Sequence, residues 1–108
     1  MLASTHGVQV YHPSPTDYWR WTHTGLRRLF EMNGDWSTLT VEPAAGTASA
    51  LAMLLGGYVE IMLRRSVLAH PPVRLLNALG PALDRRLKRL SDPVPGSLIP
   101  NLHVVGRI

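Results

Sequence analysis

A chain of 108 residues has room for one domain at most, or for part of a larger one. With 45% hydrophobic and 17% charged residues it is too apolar for a disordered segment, and some of its apolar surface calls for a partner. The lack of cysteine excludes disulfides, thiolate zinc sites and cysteine nucleophiles, and the net charge of +4 is local, because seven of the eleven Lys and Arg lie between Arg64 and Arg89.

In chain order, Met1 to Thr5 reads as the last residues of an apolar strand that opens abruptly and gives way to a loop at His6 and Gly7. The same residues lack the basic start and apolar run of a signal peptide. Val8 to Asp17, with Pro13 and Pro15, predicts an ordered loop. Thr22 is an N-cap for a helix carrying Leu26, Leu29 and Phe30, and Asn33-Gly34 offers a left-handed stop. Alternation from Trp36 to Val41 predicts a strand with Ser37, Leu39 and Val41 on one side, ended by Pro43. Thr47 to Arg65 predicts a helix whose stripe is Leu51, Leu54, Leu55, Tyr58 and Met62, weakened in the middle by Gly56-Gly57. The uncharged stretch from Ala44 to Val59 is shorter than the roughly 20 residues a bilayer span needs, which points to a buried or interfacial helix. A break at His70-Pro71-Pro72 precedes a second helix, with Leu76, Leu79, Leu83, Leu87 and Leu90 along one side and Arg85, Arg86, Lys88 and Arg89 on the rest. Ser91 to Pro100 resists regular structure, and Leu102 to Ile108 reads as a final short strand.

One string is more specific than any periodicity. Tyr11-His12-Pro13-Ser14-Pro15-Thr16-Asp17-Tyr18-Trp19-Arg20-Trp21-Thr22, followed by Gly25-Leu26 and Gly34-Asp35-Trp36, resembles the segment after the fifth sheet strand in class I S-adenosylmethionine-dependent methyltransferases of the type 11-like family. Ser4-Thr5-His6-Gly7 is similar to the end of that fifth strand in relatives acting on glycan-like or lipid-linked substrates, and Pro100 to Arg107 resembles their final strand. The resemblance implies an α/β chain forming the C-terminal half of a Rossmann-like sheet: the end of strand five and strands six and seven, with the last lying between the other two and antiparallel to both. Residues 1–108 would then be a partial, substrate-side domain carrying a helical insertion over about 47–90. The outer edge of strand five would be bare, inviting self-association.

The glycine-rich turn and acidic residue with which that family holds its methyl donor have no counterpart here, since Gly56-Gly57 falls inside a helical pattern. S-adenosylmethionine is therefore expected as the cofactor of a complete enzyme, with no donor bound by this chain alone and no cofactor-binding residue in it. His12, in a loop shared with His6, is the candidate general base that takes a proton from the acceptor. Tyr18, Arg20 and His6 are the candidate acceptor-binding residues, on loops at the carboxyl ends of strands, where ligands bind in open sheets. The plainer reading of Asp17 to Trp21 is structural, with Trp19 and Trp21 packed under the sheet. No two histidines stand at the i, i+4 spacing of a helical metal site, so no metal is expected.

The expected acceptor is a small molecule, a glycan or a lipid-linked compound. Beside its leucines, the basic cluster is either a solvated face or a membrane-surface contact made through 47–90. No nucleic-acid motif accompanies it, and nucleic acid is not expected as a partner. The location expected is the cytoplasm, peripheral to the membrane where that contact is used. The competing reading is a non-catalytic membrane-associated or scaffold protein from a truncated reading frame, favoured by the start of the chain inside a strand.

Overall fold

The computed structural model describes residues 1–9, 19–91 and 94–108. It is a mixed α/β arrangement built on a three-stranded antiparallel sheet. Strand β1 (Leu2–His6) is followed by helix α1 (His23–Met32), strand β2 (Thr38–Pro43), helix α2 (Thr47–Met62), a 3-10 turn (Val67–Ala69), helix α3 (His70–Arg86), a single helical turn α4 (Lys88–Ser91) and strand β3 (Asn101–Arg107). The sheet order is β1-β3-β2, with β3 antiparallel to both neighbours. The mixed α/β class read from the sequence holds at this level.

Helix α1 begins where its cap demands: the Thr22 side chain accepts a hydrogen bond from the Gly25 N–H at 3.0 Å. It lays Leu26 and Phe30 on the sheet, where Leu26 joins Val41, Leu102 and Val104 in the core, with Ala3, Trp21, Leu39 and Ile99 packed around them. His23 Nε2 donates to the Val41 carbonyl at 2.8 Å, which pins the start of α1 to β2. The end of α1 differs from expectation. Asn33 has φ −118° and Gly34 is not left-handed, so no such stop is used. Instead the Asn33 side-chain amide donates to Leu29 O at 2.7 Å and its backbone N–H to Phe30 O at 3.1 Å. Gly34 is needed for space, because a Cβ there would meet the Trp36 indole at 2.8 Å.

Trp36 lies outside β2, contrary to the predicted span. Its Nε1 donates to Phe30 O at 2.8 Å, and its ring covers Gly106, where a Cβ would come within 2.7 Å of it. Pro43 does not stop the strand but closes it, opposite Leu102. A proline is tolerated there because β2 is an edge strand that has no neighbour on its other side among the described residues.

Corrections are larger in the helical pair. Helix α2 stops at Met62, three residues before the predicted end, and Arg64 and Arg65 follow at φ 50° and 54°. His70-Pro71-Pro72 opens α3 and does not separate it from what precedes, since prolines in a first turn sacrifice N–H groups that have no helical partner anyway. The two helices run antiparallel, because Gly80 meets Ala48, Ser49 and Ala52 while Val73 lies against Gly56. The predicted stripe is therefore turned outward: Leu51, Leu55, Tyr58 and Met62 are exposed, and the face against α3 is made of Ala48, Ala52 and Gly56. Leu79 and Leu83 on α3, and Leu87 just past its end, are exposed as well.

The radius of gyration is 15.7 Å with extents of 50 × 35 × 22 Å, against about 13 Å for a compact domain of this length. The helical pair thus stands beside the sheet unit and does not cap it. Among the described residues, Leu98 N–H donates to the Thr47 hydroxyl of α2 at 3.0 Å, and Ala44 N–H, in the connection from β2 to α2, donates to Asn101 O at 2.9 Å.

Candidate functional site

Polar side chains gather at the carboxyl end of β1. Strand register sets His6 opposite Asn101, the first residue of β3, on the face of the sheet that α1 does not cover. His6 Nδ1 donates to the Asn101 side-chain oxygen at 3.1 Å, and Gln9 Nε2 donates to the same oxygen at 3.0 Å. An amide oxygen that receives both donors keeps the neutral imidazole's proton on Nδ1 and leaves a lone pair on Nε2. The next row on the same face aligns Ser4, His103 and Glu42.

The backbone beneath is locked by three segments. Gly7 N–H donates to Pro100 O at 2.9 Å, Val8 N–H to Ile99 O at 2.8 Å, and Trp21 N–H to His6 O at 3.1 Å. Gly7 is buried at their crossing, where a Cβ would strike the Ile99 carbonyl, so only glycine permits this approach. Through the Trp21 bond the chain delivers Arg20 beside the end of β1, exposed, with Nη1 3.4 Å from Trp19 O. The two tryptophans divide their roles. Trp21 packs on the core, whereas Trp19 is exposed and stacks on Trp21 with centroids 6.1 Å apart.

Of the residues selected from the sequence, His6 and Arg20 lie on adjoining segments, whereas His12 and Tyr18 fall outside the described residues. Asn101 and Gln9 were missed. Nothing in their local sequence marks them, since a strand register pairs Asn101 with His6, 95 residues away, and Gln9 reaches Asn101 from the loop after β1. Among the described residues no cluster of three His, Asp or Glu is placed to hold a metal ion.

A separate cleft of about 490 Å³ opens at the base of the helical pair, floored by Pro43, Ala45 and Pro81 and bordered by Asp84, Arg85 and Lys88. Asp84 is buried and reaches from α3 to cap α2. Its carboxylate accepts from the N–H groups of Gly46, Ala48 and Ser49, each at 3.0 Å. Burial pushes this carboxyl up, but the hydrogen bonds from the Ser49 side chain and from the Ser49, Ala48 and Gly46 backbone outweigh it and hold Asp84 below its ordinary value of 3.8. An anion already occupies this helix start, and it is the protein's own. The cleft opens at the same carboxyl end of the sheet, since Pro43 pairs with Leu102 and Ala44 N–H donates to the Asn101 carbonyl, but other residues line it, and the carboxylate in it is engaged in holding the fold.

Comparison of the chain with known protein families, with curated proteins and with solved structures finds no match in any of the three.

Proposed function

We propose that this chain forms the acceptor side of an S-adenosylmethionine-dependent methyltransferase of the Rossmann-like class, working in the cytoplasm on a small-molecule, glycan or lipid-linked acceptor. The observation that carries this reading is the His6–Asn101–Gln9 cluster at the carboxyl end of β1, with Arg20 delivered beside it. The β1-β3-β2 order, with β3 antiparallel to both neighbours, adds support because it is the order that the resemblance of Ser4 to Trp36 implies. Asn101 orients the imidazole, and His6 Nε2 is free to hold the proton that an acceptor hydroxyl or amine gives up. Arg20 supplies a planar fork that grips a carboxylate, a phosphate or sugar hydroxyls at two points. The donor does not fit these residues: α2 opens within a few residues of the end of β2, and the N–H groups of Gly46, Ala48 and Ser49 at its start are taken by Asp84. In this reading the donor is held outside the 108 residues, upstream or on another chain.

Titration calorimetry with S-adenosylmethionine is expected to give no saturable heat with this chain; micromolar binding would overturn the division of roles. With the donor-binding segment supplied, His6→Ala should slow methyl transfer by about 100-fold. Arg20→Lys should also impair transfer, and donor affinity should stay unchanged in both variants. Normal folding with a lost donor affinity sinks the acceptor-side assignment, and a sharply lowered melting temperature makes Arg20 a structural anchor.

A second reading, a non-catalytic membrane-associated or scaffold protein, is favoured by the outward-facing apolar residues of α2 and α3.

A further inference from the structure

We infer that the α2–α3 pair is a docking element for an anionic lipid surface, lying along it with the exposed apolar residues inserted and the arginines at the headgroups. Lipid docking needs no methyl donor, so it stands or falls separately from the methyl-transfer reading.

The case starts from which side chains the fold leaves outside. Small residues bring the two helices together at Ala48, Ala52, Gly56 and Gly80, and that close approach turns the large side chains away. Leu51, Leu55, Tyr58 and Met62 form one exposed stripe on α2, at i, i+4, i+7 and i+11, each at least half exposed. On α3, Leu75, Leu79 and Leu83 repeat at i+4 spacing and are exposed too, and the connecting turn shows Val67 and Leu68. Water is a poor solvent for so much apolar surface on so small a unit.

Charge decides the occupant. Residues 47–90 carry seven cations, Arg64, Arg65, Arg74, Arg85, Arg86, Lys88 and Arg89, against Glu60 and Asp84, a net of +5. All seven cations are exposed, whereas Asp84 is buried on the α2 N-terminus. Six of them stand at the ends of the pair, Arg64 and Arg65 at the distal turn and Arg85, Arg86, Lys88 and Arg89 at the base, with Arg74 along α3, where long side chains can reach headgroups while the leucines enter the acyl boundary. A second copy of the chain would bring another +5 against the first, whereas an anionic leaflet attracts it. Spanning is ruled out by length. The 16 residues of α2 reach about 24 Å, short of the ~30 Å hydrocarbon core, and no described helix is long and apolar enough to cross a membrane.

Flotation of the full chain with phosphatidylcholine vesicles, with and without about one part in three of phosphatidylglycerol, tests this. Binding to the anionic vesicles should exceed binding to the neutral ones by about 100-fold and fall as salt is added. Changing Arg85, Arg86, Lys88 and Arg89 together to Gln should abolish the preference. Leu55→Ser with Tyr58→Ser removes exposed groups only, so it should keep the helical circular dichroism and lower anionic binding by roughly tenfold. This serine variant and the salt dependence keep the test decisive should the Gln variant fail to fold. Equal binding to both vesicles, or none, overturns the proposal. So does sedimentation showing paired copies, lost in the serine variant, while vesicles leave the protein unbound.

Discussion

The sheet unit and the helical pair solve the same problem in opposite ways. Around the sheet the large side chains are inside: Leu26, Val41, Leu102 and Val104 are buried, each contributing roughly 1.5–3 kcal/mol against exposure. In the helical pair the buried apolar residues are Ala48, Ala50, Ala52 and Ala69, whose methyl groups contribute about 0.8 kcal/mol each, while the leucines face outward. Charge separates the two as well. Residues 47–90 carry seven cations and two acids, for +5, and the remainder of the chain carries four cations and five acids, for −1. A unit that hides alanines and shows leucines depends on specific polar contacts or on an external surface, whereas the sheet unit is held by its own core.

Asp84→Ala should break this comparison most severely, because it leaves three N–H groups at the start of α2 without their acceptor. A loss of about 3 kcal/mol is expected in the helical pair. Tryptophans occur only at 19, 21 and 36, within the sheet unit, so fluorescence follows that unit while far-UV circular dichroism is weighted toward α2 and α3. In urea the dichroism midpoint should fall and the fluorescence midpoint should hold; if both fall together, the regions form one cooperative unit. Acid should act in the same direction. A carboxyl whose folded pKa is depressed contributes stability that is complete above its unfolded value of 3.8 and is lost as pH falls through the lower folded value. The helical signal should therefore weaken below about pH 3.8, and Asp84→Asn should remove that component of the acid response.

A change in the other region gives the converse. Gly106→Val forces a side chain into the Trp36 ring, which lies within 2.7 Å of where its Cβ would be, and should cost about 1–3 kcal/mol, read as a lower fluorescence midpoint with the helical signal unmoved. The smallest effect belongs to Thr22→Ala. Loss of the cap on the Gly25 N–H should cost about 1 kcal/mol, visible in the fluorescence midpoint because α1 packs on the sheet core.

What could be read in advance follows the same division. Thr22 and the Leu26–Phe30 spacing mark α1 because a cap and a one-sided helix are local signals, and they hold in the structure. The alternation of Leu39 and Val41 likewise shows which face of β2 is buried. In α2 the pattern misleads, since a helix apolar around most of its circumference does not specify which face packs. His6 and Arg20 could be selected from the string they belong to, but Asn101 and Gln9 could not, because no short-range signal joins them to His6.

By itself the sequence determined the order and kind of the main elements, the local charge of the helical pair, and the Thr22 cap that starts α1. These are set within a turn or two of the residue concerned. Only the tertiary structure decided that alanine and glycine, not leucine, would form the α2–α3 contact. Close backbone approach at Gly80 rewards the absence of side-chain volume, and hydropathy does not encode it. It also decided that Asp84 would serve as the cap of a helix it does not belong to, and that His6 would meet Asn101. Both pairings come from packing and strand register over separations of more than 30 residues, where physical proximity leaves no trace in local composition.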